Sequence, residues 1–253
     1  MHHEHDAVGP AAGDVIVLTI AAIALVSYAT GVYRARRRGS WPAARTAAWV
    51  AGVTAVTAAM VGPLADAAHH DFTMHMVAHL LIGMLGPLLL VLGAPVTLAL
   101  RALPVARARA LTRLLHHRAI RVLVHPVVTA VLNAGGLWVL YTTDLFTHMH
   151  ASTWVYVLVH AHLAVAGYLF TASLIGPDPA PRASFGLRAC VLVVFVASHS
   201  VLAKWLYAHP PADVADGRVG AQLMYYGGDA VDVLLMVLLA AEWYRTTRPT
   251  IRR

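Results

Sequence analysis

Two histidines spaced four residues apart are the first feature of this sequence that could do chemistry. His75 and His79 lie in an apolar segment, and their i, i+4 spacing places both imidazoles on one face of a helix. Met74 and Met76 flank His75, and imidazole nitrogen with thioether sulfur is a donor set that suits a soft ion such as Cu(I). The pattern predicts a metal site at the beginning of this segment.

Further ionisable side chains fall within apolar segments, where such groups usually face the interior of a helix bundle and mark a site. They are His160 and His162 in one segment, His199 in the next, and Asp229 and Asp232 in the last. The two histidines of the first pair are about 200° apart on a helix, so only one of them faces a given neighbour. We favour His160, because the small residues on its face permit close approach of another helix.

The composition places these residues in a membrane protein. The chain has 253 residues, of which 59% are hydrophobic and 12% charged, whereas a soluble domain has about 25% charged residues. A conventional cytosolic enzyme is therefore excluded. The single cysteine, Cys190, excludes an internal disulfide framework and any Cys-pair metal motif. The net charge of +7 comes from short basic runs between apolar segments, which indicates membrane orientation and not nucleic-acid binding.

Seven apolar segments predict an all-α fold, a polytopic bundle of seven transmembrane helices. Each segment is long enough to cross about 30 Å of hydrocarbon as a helix. They lie near Val15–Tyr33, Thr46–Leu64, Phe72–Leu98, Val122–Thr142, Ser152–Ile175, Ala189–Tyr207 and Gly220–Ala241. The third segment is overlong, and we expect a kink near Pro87 and an end near Gly93.

The basic residues predict the orientation. Of the 19 Lys and Arg residues, 17 fall on one side of a seven-span arrangement, and the positive-inside rule assigns that side to the cytoplasm. The N-terminus is then outside and the C-terminus inside, and the first span is expected to be an uncleaved anchor. The predicted divisions are a His-rich extracytoplasmic tail (1–13), a transmembrane domain (14–245) and a basic cytoplasmic tail (246–253).

The histidines are segregated from the arginines. The chain has 16 histidines. In this arrangement only His116, His117 and His125 fall on the cytoplasmic side, and the other 13 fall in outer loops or in the outer half of a span. Three different spans supply five imidazoles at one depth. We expect loop histidines such as His69 and His70 to be solvated.

Several motifs resemble those of CtaG-type cytochrome c oxidase assembly factors. The most specific is Asp71-Phe-Thr-Met-His75-Met-Val-Ala-His79-Leu-Leu, which runs into Pro87-Leu-Leu-Leu-Val-Leu-Gly93-Ala-Pro95. Weaker matches are His125-Pro126, His160-Ala-His162-Leu leading to Gly167-Tyr-Leu-Phe170, and Asp216-Gly-Arg-Val-Gly220 through Gly228-Asp229. The sequence departs from the family pattern at Trp138, which no histidine follows, and at Asp216-Gly217.

The resemblance implies a non-enzymatic plasma-membrane protein that delivers copper to the oxidase subunit carrying a copper centre. The metal ligands expected on this basis and from the spacing are His75, His79, His160, His162, His199 and Met76, supported by Asp71, Met74, Asp229 and Asp232. Cu(I) suits this set, because imidazole and thioether are good Cu(I) ligands, and thiols, which an oxidising compartment would endanger, are absent from it. Two alternatives stay open, a haem-binding membrane redox protein and a metal transporter.

Overall fold

The computed structural model describes residues 10–179, 182–210 and 216–247, and within these ranges the chain forms helices and no strand. The helices are α1 (Pro10–Arg36), α2 (Ala43–Met60), α3 (Pro63–Ala68), α4 (Phe72–Leu80), α5 (Gly86–Leu92), α6 (Pro95–Ala102), α7 (Val105–Leu115), α8 (Arg118–Leu123), α9 (Pro126–Thr142), α10 (Leu145–Ala151), α11 (Thr153–Leu174), α12 (Phe185–Ala208) and α13 (Gly217–Thr247). The all-α prediction is confirmed.

The number of spans is confirmed only in part. Five helical stretches of the described residues are long and apolar enough to cross a membrane, and a sixth is added if α9 and α10, which meet at 79°, count as one span. The second predicted span corresponds to α2, which has 18 residues and owes its apolar character mostly to alanine. Seven spans therefore stay a prediction, as do the orientation and the tails, which lie largely outside the described residues.

One span is central to the bundle. Residues Phe72–Ala102 form a single stretch of 31 residues that is the most buried of the five. Between α4 and α5 the chain makes a π-helical turn, Leu81–Leu85. This turn lies just before Pro87, whose missing N–H leaves the carbonyl of Gly83 without its usual helical partner. The predicted kink is thus a local widening of the helix one turn before the proline.

The predicted end near Gly93 is confirmed, since α5 ends at Leu92 and α6 begins at Pro95. Ala94 between them has a φ of 54°, in the left-handed region. The carbonyl of Gly93 accepts a 2.7 Å hydrogen bond from the hydroxyl of Tyr28. Asp178 accepts hydrogen bonds from the backbone and the hydroxyl of Thr97 at 2.7 and 2.6 Å, which caps α6.

The central span touches α11 through two glycines. A Cβ placed on Gly167 of α11 would collide with the carbonyl oxygen of Gly83, and a Cβ on Gly83 would meet the side chain of Leu163 at 3.0 Å. Small residues at this contact let the two backbones approach closely. The carbonyl that Pro87 leaves without a helical partner is therefore covered by the neighbouring helix.

The two ends of the central span differ in chemistry. Its beginning lies beside a cavity of about 650 Å³ lined by several histidines, among them His69, His75 and His150. Its end lies beside a cavity of about 790 Å³ lined by Arg38, Arg109 and Arg113. Because residues Phe72–Leu92 alone extend about 30 Å as a helix, the histidine-lined and arginine-lined cavities lie at opposite ends of the bundle.

We predict that the arginine-lined end faces the cytoplasm. In a Cys190→Ser background, single cysteines at Ser40 and at Thr153, which lie at opposite ends and are both exposed, should react differently with an impermeant thiol reagent in intact cells. Thr153→Cys should be labelled and Ser40→Cys protected until the membrane is opened. Labelling of Ser40→Cys in intact cells would refute the predicted orientation.

We also predict that Gly167→Ala destabilises the bundle, because overpacking a close contact typically costs about 1–3 kcal/mol. The matched control is Gly135→Ala on α9, where an added Cβ meets nothing within 4 Å, and where alanine is the better helix former. Thermal unfolding in detergent should show a lower Tm for Gly167→Ala and an unchanged or higher Tm for Gly135→Ala. Equal Tm values would mean that the glycine contact is not needed.

Candidate functional site

Two aspartates fix the beginning of α4, the helix that carries His75 and His79. Asp71 accepts a 2.7 Å hydrogen bond from the backbone N–H of Met74. Asp216, which precedes α13, accepts hydrogen bonds of 2.5 Å from both the backbone and the hydroxyl of Thr73. The free N–H groups of the first turn are thereby satisfied. Asp71, predicted to support the metal site, is observed as a helix cap.

His75 lies beside a buried tyrosine of α9. Its Nε2 lies 3.1 Å from the hydroxyl of Tyr141, and that hydroxyl lies 3.9 Å from the sulfur of Met76. All three side chains are buried. Met74, the other flanking methionine, is only partly buried and packs against the apolar core. The ring of Tyr141 also contacts His79, with centroids 6.2 Å apart, so the tyrosine lies between the two histidines.

His79 and His199 form a buried pair. Their rings lie with centroids 6.3 Å apart and planes within 8° of parallel, and the residues are 3% and 2% exposed. No ring nitrogen of either histidine has a hydrogen-bond partner among the described residues. Gly228 of α13 makes room for the pair, because a Cβ there would collide with the ring of His199.

The structure separates His160 from His162. His160 is buried, and its Nδ1 donates a 2.8 Å hydrogen bond to the carbonyl of Tyr156, which leaves Nε2 as the nitrogen with the free lone pair. His162 is exposed, and its Nε2 donates to the carbonyl of Leu132 at 3.1 Å. The structure therefore brings His160 towards the other buried histidines and directs His162 to α9.

The two aspartates of α13 differ in their surroundings. Asp229 is partly buried and lies 3.5 Å from the hydroxyl of Ser200. Asp232 is 1% exposed, and neither of its carboxylate oxygens has a hydrogen-bond partner in the described chain. It lies one turn beyond Gly228, the residue against which His199 packs. Buried polar atoms without partners are therefore present both in the histidine pair and at Asp232 of α13.

The cavity at the histidine-rich end contains imidazoles outside the predicted ligand set. His69 and His150 both line it, and their ring centroids are 6.3 Å apart. Partial burial lowers the pKa of His69, and the nearby His150 and His70 lower it further. The neutral imidazole, which is the form that binds metals, is therefore favoured at His69. The expectation that it is simply a solvated loop residue is incomplete.

The histidines come together in pairs and not in larger clusters. Across residues 10–179, 182–210 and 216–247, no three side chains of the His, Cys, Asp and Glu types converge as a group that could hold a metal ion. A structural zinc ion, which takes four ligands, does not fit such an arrangement. Two opposed imidazoles at one ion, with bonds of about 2.0 Å, have centroids about 6 Å apart. The separation of His79 and His199 has this value.

Sequence reasoning missed two residues of this region. Tyr141 is the last residue but one of the fourth predicted span, and a buried tyrosine hydroxyl usually finds a partner, but nothing in the sequence indicates that the partner is His75. His150 belongs to the short helix α10, which turns back beside α9 at 79°. Its position in an outer loop was predicted, whereas its contact with His75 depends on that turn.

Comparison with known proteins identifies the family. The cytochrome c oxidase caa3 assembly factor family (Caa3_CtaG) matches residues 26–246. The chain belongs to this family, and its several apolar helices agree with a multi-pass protein of the bacterial plasma membrane. The resemblance inferred from the His75 and His79 motif is confirmed.

Three mycobacterial proteins are similar over most of this chain. The uncharacterized proteins Mb0105 of Mycobacterium bovis and MT0111 of Mycobacterium tuberculosis are each 31% identical over 95% of the chain. The uncharacterized protein ML1998 of Mycobacterium leprae is 29% identical over 92% of it. The aligned part is 40% of the length of the first two and 39% of the third, so this chain spans about two fifths of these relatives. No solved structure matches the chain.

We predict that Asp216→Ala weakens the cap of α4 and lowers stability by about 0.5–2 kcal/mol. Burial opposes ionisation of Asp216, but the hydrogen bonds from Thr73 and from the backbone of Phe72 outweigh it and lower its pKa. Since the folded pKa is the lower one, the contribution is complete above the ordinary Asp value of about 4 and is lost as the pH falls through the folded pKa.

The measurement is thermal unfolding in detergent between pH 7 and pH 3. The gap in Tm between the wild type and Asp216→Ala should be full at pH 7 and should close at the acid end. Asp144→Ala is the control, because Asp144 precedes α10 without making a side-chain cap. A gap that persists unchanged at pH 3 would contradict the role of the ionised carboxylate.

Proposed function

We propose that this assembly factor holds Cu(I) between His79 and His199, with His75, His160 and Met76 nearby, and delivers it to the copper-carrying subunit of a cytochrome c oxidase. The proposal rests on one observation, the buried His79–His199 pair with four ring nitrogens that lack partners. A buried polar group without a partner costs about 1–3 kcal/mol. An ion between the rings would offset that cost, and imidazole is a good ligand for copper.

The packing around the pair favours an ion over haem. The nitrogens of His79 and His199 are shielded from solvent. Leu202, one turn from His199 on α12, and Met224, one turn from Gly228 on α13, are fully buried in the core. A porphyrin between the two rings would have to displace these side chains. A single ion needs only the space that already separates the two imidazoles.

The packing below the pair favours delivery over transport. The ring of Phe195 lies 6.2 Å from that of His199, on the side towards the arginine-lined end. Phe195 belongs to an apolar cluster made of Met84, Leu88, Phe170, Leu174, Ile175, Val191, Leu192, Phe195, Leu235 and Leu239. A transporter needs polar groups along the whole path. An ion held at His79 and His199 therefore exchanges with the histidine-rich end.

We predict that His79→Leu and His199→Leu each weaken Cu(I) binding by at least about 10- to 100-fold. Mutation of a residue that only hydrogen-bonds a metal ligand already costs this much affinity. The double variant should cost little more than either single one, because both ligands hold the same ion. Cu(I) affinity is measured by competition with a chromophoric chelator under reducing conditions. Membranes carrying each variant are assayed for oxidase copper and activity.

Two controls separate ligation from structure. His162→Leu removes an exposed histidine of α11 and His116→Leu one at the arginine-lined end, and both should bind copper normally. Without copper, His79→Leu should unfold at the wild-type temperature or above, since it removes a buried polar group without a partner. A lower Tm with unchanged copper affinity would show that His79 is a structural residue and would refute the proposal.

A further inference from the structure

The cavity at the histidine-rich end contains donors that the proposed site does not use. It has a volume of about 650 Å³, and its lining includes His69, His70, His75, His150 and His209. Of these only His75 belongs to the set proposed above. The other four are exposed, whereas the nitrogens of His79 and His199 are closed off from solvent. An ion from the aqueous side therefore meets the cavity histidines first.

His150 is held in an orientation suited to binding a metal. Its Nδ1 donates a 2.9 Å hydrogen bond to the carbonyl of Phe146, so in the neutral ring Nε2 carries the free lone pair. Such a bond to a carbonyl is what usually fixes the tautomer and the ring of a metal-binding histidine. The ring centroid of His150 is 6.3 Å from that of His69 and 6.0 Å from that of His75.

Further imidazoles lie between the cavity and the buried pair. From His75 the next imidazole on α4 is His79, one helical turn further and about 5–6 Å away between Cβ atoms. Tyr141 lies beside both, with ring centroids 6.3 Å from His75 and 6.2 Å from His79. His79 then pairs with His199 at 6.3 Å. A line of imidazoles thus leads from the cavity to the buried pair.

Resting on the function proposed above, we propose that His69 and His150 form a separate capture site for Cu(I), which loads the buried pair by way of His75. The ion keeps its oxidation state throughout. At each step one bond from copper to an imidazole nitrogen forms as another breaks, so no oxidant or reductant is consumed. His75 is the shared ligand, since it lines the cavity and lies one turn from His79.

The test uses the full chain in lipid nanodiscs, with Cu(I) supplied anaerobically as its complex with a chromophoric chelator. The number of ions bound and the rate of loading are read from the chelator absorbance. The double variant His69→Ala/His150→Ala should bind one ion fewer than the wild type. It should also load the buried pair at least about tenfold more slowly, because the entry ligands are absent. The double variant His79→Leu/His199→Leu should lose the buried ion and keep rapid capture of the outer one.

The matched control is His148→Ala. His148 lies on the same helix as His150, is also exposed, and donates its Nδ1 to a carbonyl, that of Asp144, at 2.7 Å. It is not part of the cavity lining. It should bind and load copper like the wild type. The N-terminal histidines are common to all variants, so whatever they bind cancels in each comparison.

Each result identifies which idea fails. If His69→Ala/His150→Ala matches the wild type in both number and rate while His79→Leu/His199→Leu loses an ion, the capture site is refuted and the buried site stands. If the buried-pair variant keeps every ion while the cavity variant loses one, the function proposed for His79 and His199 is refuted. An equal loss in His148→Ala would reveal general chelation by exposed histidines and would overturn the capture site.

Discussion

The arrangement of the histidines depends on the close approach of the central span to its neighbours. Glycines make this approach possible at three levels, where Gly220 meets Phe72, Gly228 meets His199 and Gly167 meets Gly83. A side chain at any of them would push α11 or α13 away from the contact. Because α4, α12 and α13 are held together in this way, imidazoles that lie 120 residues apart in the chain have ring centroids 6.3 Å apart.

The same packing makes the unpaired imidazoles energetically unusual. Other polar side chains of the described core have partners, as in the contacts of Thr129 with Ser173 and of Trp138 with Ser198, and the Nε of Arg188 is the one further buried polar side-chain atom without a partner among the described residues. Neither nitrogen of His79 or His199 and neither oxygen of Asp232 has one. Buried polar groups without partners are rare in native structures, and each calls for a physical explanation. Under the function proposed above, the explanation is stability given up at a ligand site.

The sequence predicts the arrangement of the histidines within α4 better than it predicts which residues of the neighbouring helices meet them. The i, i+4 spacing places His75 and His79 on one face because a helix has a fixed period, and the apolar segments locate the helices that carry His160 and His199. The rotation of each helix relative to the next is a property of tertiary packing. His162 was for this reason included among the expected ligands although it contacts Leu132, and the contacts of Tyr141 and His150 with His75 could not be inferred.

The span count shows the same limit at a larger scale. Hydropathy located every long helix and ended the fourth span at Thr142, where α9 ends. It did not predict that the following loop contains the helix α10, which lies at 79° to α9. The bend has a consequence for the site, since it returns α10 to the mouth of the cavity and brings His150 next to His75. A straight span would have carried His150 away from the bundle.

A series of histidine pairs suits the proposed function, in which the protein must release its ion. A closed site with four ligands holds a metal as part of the fold, and removing the ion then means unfolding the site. Here the pairs His69–His150, His75–His150 and His79–His199 have ring centroids between 6.0 and 6.3 Å apart, so each pair offers an ion two imidazoles. Transfer between positions of similar affinity requires little free energy. In the function proposed above, the apolar cluster that contains Phe195 lies on the other side of the pair, so the ion leaves at the end where it entered.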